Sequence, residues 1–266
     1  MTQPDQRAMW NGPSGEAWIE WQAVLDGLFR PFEDVLVAAV APGARVLDVG
    51  CGTGATTIAI ARVAGRAVGF DLSAPMIEVA RARAAGAADF LVGDAQTYAF
   101  EPASFDAITS RFGVMFFDDP LAAFANLRRA AAPGAKLRVI TWRSAAENPF
   151  MTTAERAAAP LVELPARAAN GPGQFAFADP DRVRAILEPA GWSRLAFAPL
   201  DVPATLPEPM LGAYASRLGP LGRVLASADD ATRARVMSTV RAAFDPFVHG
   251  DEVRFTCACW QVDARA

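Results

Sequence analysis

Residues 45–54 read Arg45-Val46-Leu47-Asp48-Val49-Gly50-Cys51-Gly52-Thr53-Gly54. No other stretch constrains the fold as strongly. Val46, Leu47 and Val49 form an apolar run of strand length. Glycines then take alternate positions, 50, 52 and 54. Residues 55–62 follow, with Ile58 and Arg62 on successive turns of a helix. A buried strand therefore feeds a glycine loop, and the loop feeds a helix N-terminus. Glycines let the backbone turn tightly and approach a ligand closely. The free N–H groups of the helix start offer an anchor to a polar or anionic ligand group.

The pattern repeats down the chain. A second strand, 67–70, ends at Asp71. A third, 89–92, runs into Gly93-Asp94-Ala95-Gln96. A fourth, 105–110, runs into Arg111-Phe112-Gly113-Val114-Met115-Phe116-Phe117. Together VLDVGCGTG, GFD, GDAQ and FDAITSRFGVMFF resemble the class I S-adenosylmethionine-dependent methyltransferases. Within them the chain is most similar to the small-molecule group that includes the ubiquinone- and menaquinone-biosynthesis C-methyltransferases. The likeness covers 45–142 well and the rest in outline. It implies an α/β fold: a doubly wound, seven-stranded, mostly parallel sheet of order 3-2-1-4-5-7-6, strand seven antiparallel, with helical cap insertions. It also implies S-adenosylmethionine as cofactor and S-adenosylhomocysteine as product.

Composition narrows the class. The 266 residues suit one large α/β domain, or one with a cap. A net charge of −4 gives no basic field, so nucleic acid is not an expected partner. The partner implied is a small-molecule acceptor, and the oligomeric state is open. Three cysteines, Cys51, Cys257 and Cys259, form no even disulfide framework, and their use fits a reducing cytoplasm. With one histidine, His249, no metal site is expected. The start of the chain does not read as a signal peptide, and no apolar run reaches membrane-spanning length. A cytoplasmic chain with no stable membrane insertion is expected.

Six segments follow. Residues 1–40 read as N-terminal helices over the cofactor site. Ser14 caps the first helix and Pro31 separates it from the second. Residues 41–142 form the cofactor-binding core. Residues 143–178 break the strand–helix alternation and read as a cap insertion, with a mobile loop near 167–175. Residues 179–203 return to the core as a helix capped by Asp179 and a strand. Residues 204–251 read as a second cap insertion, interrupted at Gly219-Pro220. Residues 252–266 give the last core strand. Both insertions leave the strands' C-terminal edge, where open α/β sheets bind ligands.

The chemistry falls on the loops after the strands. Gly50, Cys51 and Gly52 form the cofactor loop. The resemblance implies that Asp48 helps hold the methionine ammonium end; the alternative is a buried acid that braces the loop. Asp71 ends strand two, where a carboxylate can accept from two vicinal ribose hydroxyls; Ser73 fits better as the following N-cap. The resemblance places Leu72 and Met76 on the adenine. Asp94 can accept from the adenine amino group, with Gly93, Ala95 and Gln96 beside it. In related enzymes a segment like that around Trp10 folds over the cofactor. Arg111 opens the loop after strand four, which the resemblance places beside the sulfonium and the acceptor. Phe112, Met115 and Phe116 are pocket candidates there, with Trp142 and Tyr214 enclosing the acceptor.

Methyl transfer from a sulfonium is an in-line displacement that needs alignment and exclusion of water. A general base is required only where the acceptor must lose a proton. No residue can be named for that role from sequence; His249 and Tyr214 are its weak candidates. Phe112 to Phe116 and the cap predict a mostly apolar acceptor, aromatic or polyketide-like. Two other readings compete: an inactive cofactor-binding scaffold or regulator, and a nicotinamide-dependent oxidoreductase. The latter calls for G-x-G-x-x-G, whereas Ala55 stands three places after Gly52.

Overall fold

The computed structural model describes residues 5–164 and 171–266. The sheet is built around β1 (Arg45–Val49), which lies parallel between β2 (Arg66–Asp71) and β4 (Phe105–Arg111). Residues 46–49 are all buried, as a central parallel strand requires when helices cover both faces. Outside these lie β3 (Asp89–Val92) beside β2 and β5 (Ala131–Trp142) beside β4, again parallel. A short β7 (Val248–His249) turns back into β8 (Glu252–Arg265). β8 runs antiparallel between β5 and β6 (Ser193–Pro207). The order is β3-β2-β1-β4-β5-β8-β6. It is the order expected from sequence, with the two-residue β7 raising the strand count by one.

The edge strand β6 carries Pro199, Pro203 and Pro207, all at odd positions. Alternate residues of a strand point their N–H groups to opposite edges, so the three missing donors fall on one side. The other side pairs with β8 through Pro207. Prolines are tolerated where the N–H faces away from the ladder, and there they block further strand addition.

Three helices precede the sheet, where two were expected: α1 (Gln6–Trp10), α2 (Pro13–Glu20) and α3 (Gln22–Val37). Ser14 is not a cap. Gly12 holds that position and Pro13 begins α2, which suits a residue that lacks an N–H. The break falls at Trp21, and Pro31 lies inside α3. An interior proline costs about 3 kcal/mol. Leu25, Leu28, Phe29, Phe32 and Leu36 bury one continuous stripe across it. Each is worth about 1.5–3 kcal/mol, so the stripe outweighs the proline.

Capping sets the remaining core helices. Asp119 accepts from the Ala122 N–H ahead of α6 (Pro120–Ala130). Asp179 accepts from the Asp181 N–H ahead of α8 (Pro180–Leu187). Ser73 caps α5 (Ala74–Ala84), and Gly54 precedes α4 (Ala55–Ala61). One cluster joins α3, α6 and α8 to the sheet, through Phe32, Phe124 and Leu187 among others.

The cap has a core of its own. α7 (Pro149–Ala158), α9 (Leu211–Arg217), α10 (Gly219–Ala226) and α11 (Asp230–Ala243) contribute Phe150, Leu211, Leu221, Leu225, Val236 and Val240. Leu206 of β6 and Val253 of β8 complete it, so both strands extend beyond the main sheet to carry the cap. β6 therefore continues past residue 203 to Pro207. Asn148 ties α7 to this platform: its amide exchanges two hydrogen bonds, each 2.9 Å, with the Ala258 backbone. The loop expected near 167–175 lies in part outside the described residues, as does Asn170. Residues 171–177 are turn and bend, and the Gly173 N–H donates to Met115 O at 3.0 Å.

Candidate active site

The turn after β1 lies against the turn after β4. A Cβ on Gly50 would stand 2.5 Å from the Gly113 Cα, and Gly50 has φ +67°. No side chain fits there, so the backbone itself forms the floor of the site. Phe112, with φ +66°, sits in the left-handed region that side chains avoid. That conformation costs about 1–2 kcal/mol. Phe112 stacks on Trp142 at 4.4 Å and 8°, and meets Phe29 and Phe32 edge-on at 5.3 and 5.2 Å. Such pairs contribute about 0.5–1.5 kcal/mol each and hold it in place.

Asp71 braces the loop. Its Oδ2 accepts from the Gly52 N–H at 2.8 Å and its Oδ1 from the Ser73 N–H at 2.9 Å. Burial raises its carboxyl, and these two bonds oppose the rise. Each oxygen keeps capacity for a further donor. Asp94 accepts from the Gln96 N–H and Nε2, and Gln96 Oε1 in turn accepts from the Asp119 N–H.

The N-terminal helices are tied to the loop after β2. Ser73 Oγ donates to Trp10 O at 2.7 Å. Asn11 accepts from the Ala74 N–H at 3.0 Å and donates to Leu72 O at 3.2 Å. Trp10 then meets Phe116 edge-on at 5.0 Å and Trp18 at 6.1 Å. Asn11 is a positioning residue that sequence reasoning missed; its position at the end of a short aromatic helix was the available signal.

These groups open on a cavity of about 1600 Å³ that continues into the cap. Trp10, Gly50, Gly52, Asp71, Leu72, Met76, Gly93, Asp94, Ala95, Gln96 and Arg111 line it on the core side. Phe112, Met115, Phe116 and Trp142 form its middle, and Tyr214 lines it from the cap. Three sequence candidates lie elsewhere. Asp48 is buried behind the glycine loop, where its two oxygens accept from Thr57 and Thr109 at 2.7 and 3.1 Å. Burial pushes its carboxyl up to about 6, against the pull of both hydroxyls and Arg111. Cys51 is buried in a cluster with Ile77 and Phe90. Asp48, Cys51 and Arg111 share a small pocket with Thr56, whose buried hydroxyl has no partner. His249 is exposed on β7 and does not line the cavity, because the β7–β8 hairpin carries it to solvent.

Arg111 pairs with Glu33 at 3.1 Å and is largely buried, which lowers its pKa. Tyr214 packs 5.2 Å from Phe150; burial, with Cys257 and Glu155 nearby, pushes its phenol up. It therefore remains a neutral hydroxyl at neutral pH. Among the described residues no group of three or more His, Cys, Asp or Glu side chains could hold a metal ion, and no helix is long and apolar enough to cross a membrane.

A family model described as a methyltransferase domain matches residues 47–139. The demethylmenaquinone methyltransferase of Renibacterium salmoninarum is 31% identical over 186 residues, spanning 66% of this chain and 78% of that protein. The chain belongs to the class I S-adenosylmethionine-dependent methyltransferases. That membership replaces the nicotinamide reading. Solved structures share the methyltransferase's fold. The YcgJ protein of Bacillus subtilis superposes with TM-score 0.59 at 17% identity, over 89% of this chain and 98% of that one. A Haemonchus contortus phosphoethanolamine N-methyltransferase, in complex with S-adenosylmethionine, superposes with TM-score 0.56 at 18% identity, over 99% of this chain and 60% of that one. The methyltransferase uses S-adenosylmethionine, and the site fits it. The Gly50–Gly113 contact leaves bare backbone at the floor, and the braced Asp71 keeps acceptor capacity at the end of β2.

Proposed function

We propose that this methyltransferase acts on a small, mostly apolar acceptor, aromatic or polyketide-like, enclosed by the cap. One observation carries the reading: a single cavity runs from the glycine loop to the cap helices, whose contribution includes Phe150, Met151, Leu218, Leu221 and Phe244. When bound, S-adenosylmethionine supplies an electrophilic methyl group on a sulfonium.

The chain's own residues do the rest. Asp71 accepts from the ribose hydroxyls, and Asp94 from the adenine amino group with Gln96 holding it. Leu72 and Met76 offer apolar surface to the adenine. Asp48 and Arg111 set the charge at the amino-acid end, Asp48 from behind the loop. Trp10 and Phe116 give a cationic cofactor aromatic surface. Phe112, Met115 and Trp142 make a dry wall that excludes water from the transfer. Tyr214, neutral and half-buried, donates to a polar atom of the acceptor and does not act as its base.

The test is transfer of labelled methyl from S-adenosylmethionine across a panel of hydroxylated aromatics and small polar amines. Label is expected on apolar members. Label confined to the polar amines would overturn the reading.

A further inference from the structure

The neutral amides and hydroxyls on the cavity wall belong to Gln6, Ser14, Gln96, Gln174, Tyr214 and Ser216. Gln6 accepts from the Trp10 indole N–H, and Gln96 is braced between Asp94 and the Asp119 N–H. Ser216 donates to a carbonyl of its own helix. Ser14 lies on α2, among the N-terminal helices. Tyr214 and Gln174 come from the two insertions, and Gln174 is half-buried.

Gln174 stands where core meets cap. The Gly173 N–H donates to Met115 O at 3.0 Å, which ties this segment to the loop after β4. Gln174 Nε2 donates to Met151 Sδ at 3.1 Å, which ties the side chain to α7. Asn148 in turn fastens α7 to β8. Met115 is buried in the main core, and Met151 and Phe175 pack against it. The amide is therefore anchored from both sides and surrounded by apolar side chains.

The thioether decides which way the amide faces. Its sulfur is a weak acceptor and carries no hydrogen to donate. Gln174 must turn its NH2 group to Met151, and its Oε1 is left over. Among the described residues nothing donates to that oxygen. The side chains of Met115, Met151 and Phe175 have no hydrogen to give it. Once an apolar ligand displaces water from the cavity, leaving such an oxygen without a donor costs binding energy. Apolar pockets orient their ligands through a few polar groups placed in this way. We propose that Gln174 selects the acceptor: its Oε1 accepts a hydrogen bond from a hydroxyl carried on an apolar ring. The substrate class is then hydroxylated ring compounds, in preference to ethers of the same body. This rests on the cap being the acceptor pocket. Gln174 is a specificity residue and takes no part in the methyl transfer itself.

The probes are 2-naphthol and 2-methoxynaphthalene, which share a ring body and an oxygen but differ in the hydroxyl hydrogen. Protein saturated with S-adenosylhomocysteine is titrated calorimetrically into each. The wild type is expected to bind the naphthol about tenfold tighter than the ether. Gln174→Leu should erase that preference. Gln174→Glu keeps an acceptor oxygen in a side chain of the same shape and should keep it. Cofactor affinity should stay unchanged in both variants. Equal binding of naphthol and ether to the wild type overturns the proposal, as does a preference that survives in Gln174→Leu. Loss of the preference in both variants alike would show a merely structural role and overturn it too. Tyr214→Ala should weaken both probes. If it weakens neither, or if neither probe binds the saturated wild type, the cap reading falls and this inference with it.

Discussion

Asp48 gives the structure a pH dependence whose sign is fixed by its surroundings. Its carboxyl titrates near 6 in the folded protein, against the ordinary 3.8, because burial disfavours the charge. Thr57, Thr109 and Arg111 pull it down, Asp71 pushes it up, and burial prevails. Between these two values the native state holds a proton that the unfolded chain has released. Stability from this group is therefore highest below the unfolded value and falls as pH rises through the folded one. One pKa unit corresponds to about 1.4 kcal/mol, so the deficit at neutral pH is about 3 kcal/mol. Asp48→Asn carries no charge, and whatever contacts the amide gains or loses enter as a constant offset. Urea denaturation of both proteins from about pH 4 to about pH 7 should show the difference, variant minus wild type, rising by about 2.4 kcal/mol, the remainder having accrued below pH 4. A difference constant within about 0.5 kcal/mol would refute the buried-charge argument. Cofactor binding should share the dependence. A cationic group held near Asp48 favours its carboxylate, so affinity should rise with pH through the same window in the wild type alone.

Asp71→Ala removes a charged acceptor from the proposed ribose site, at about 1.5–3 kcal/mol. Calorimetry with S-adenosylhomocysteine should show roughly a 10- to 150-fold loss, and unchanged affinity in a folded variant would reject the role. Asp94→Asn keeps one acceptor and adds a donor. Wild type should prefer S-adenosylhomocysteine over its analogue lacking the 6-amino group, and the variant should not; equal preference in both would remove Asp94 from adenine recognition.

The sheet was legible because its signals are local. Strand, glycine loop and acid recur within a few residues of one another, so Gly50, Asp71 and Asp94 could be placed from spacing. What was missed depends on distant partners. Pro31 reads as a break, yet the buried stripe from Leu25 to Leu36 carries the helix through it. Asn11 bonds to residues 61 and 63 positions away, which no periodicity reveals. In Arg111-Phe112-Gly113 the glycine is the natural home for a left-handed turn. The structure gives that conformation to Phe112, because Trp142, from another strand, stacks on its ring. Asp48 was read with two roles. Its hydroxyl partners Thr57 and Thr109 come from α4 and β4, and only their convergence shows that its oxygens turn away from the cavity.

The central claim is that core and cap are two walls of one active site. Steady-state kinetics of Tyr214→Ala, with any acceptor that the wild type methylates, test it most directly. Loss of one half-buried packing side chain, and of the hydrogen bond proposed for its hydroxyl, predicts about a tenfold or greater rise in the acceptor's KM. The affinity for S-adenosylhomocysteine should remain within about twofold of wild type, since Tyr214 touches the cap side of the cavity. Cofactor affinity lost while acceptor kinetics stay intact would contradict the account and place the acceptor outside the cap.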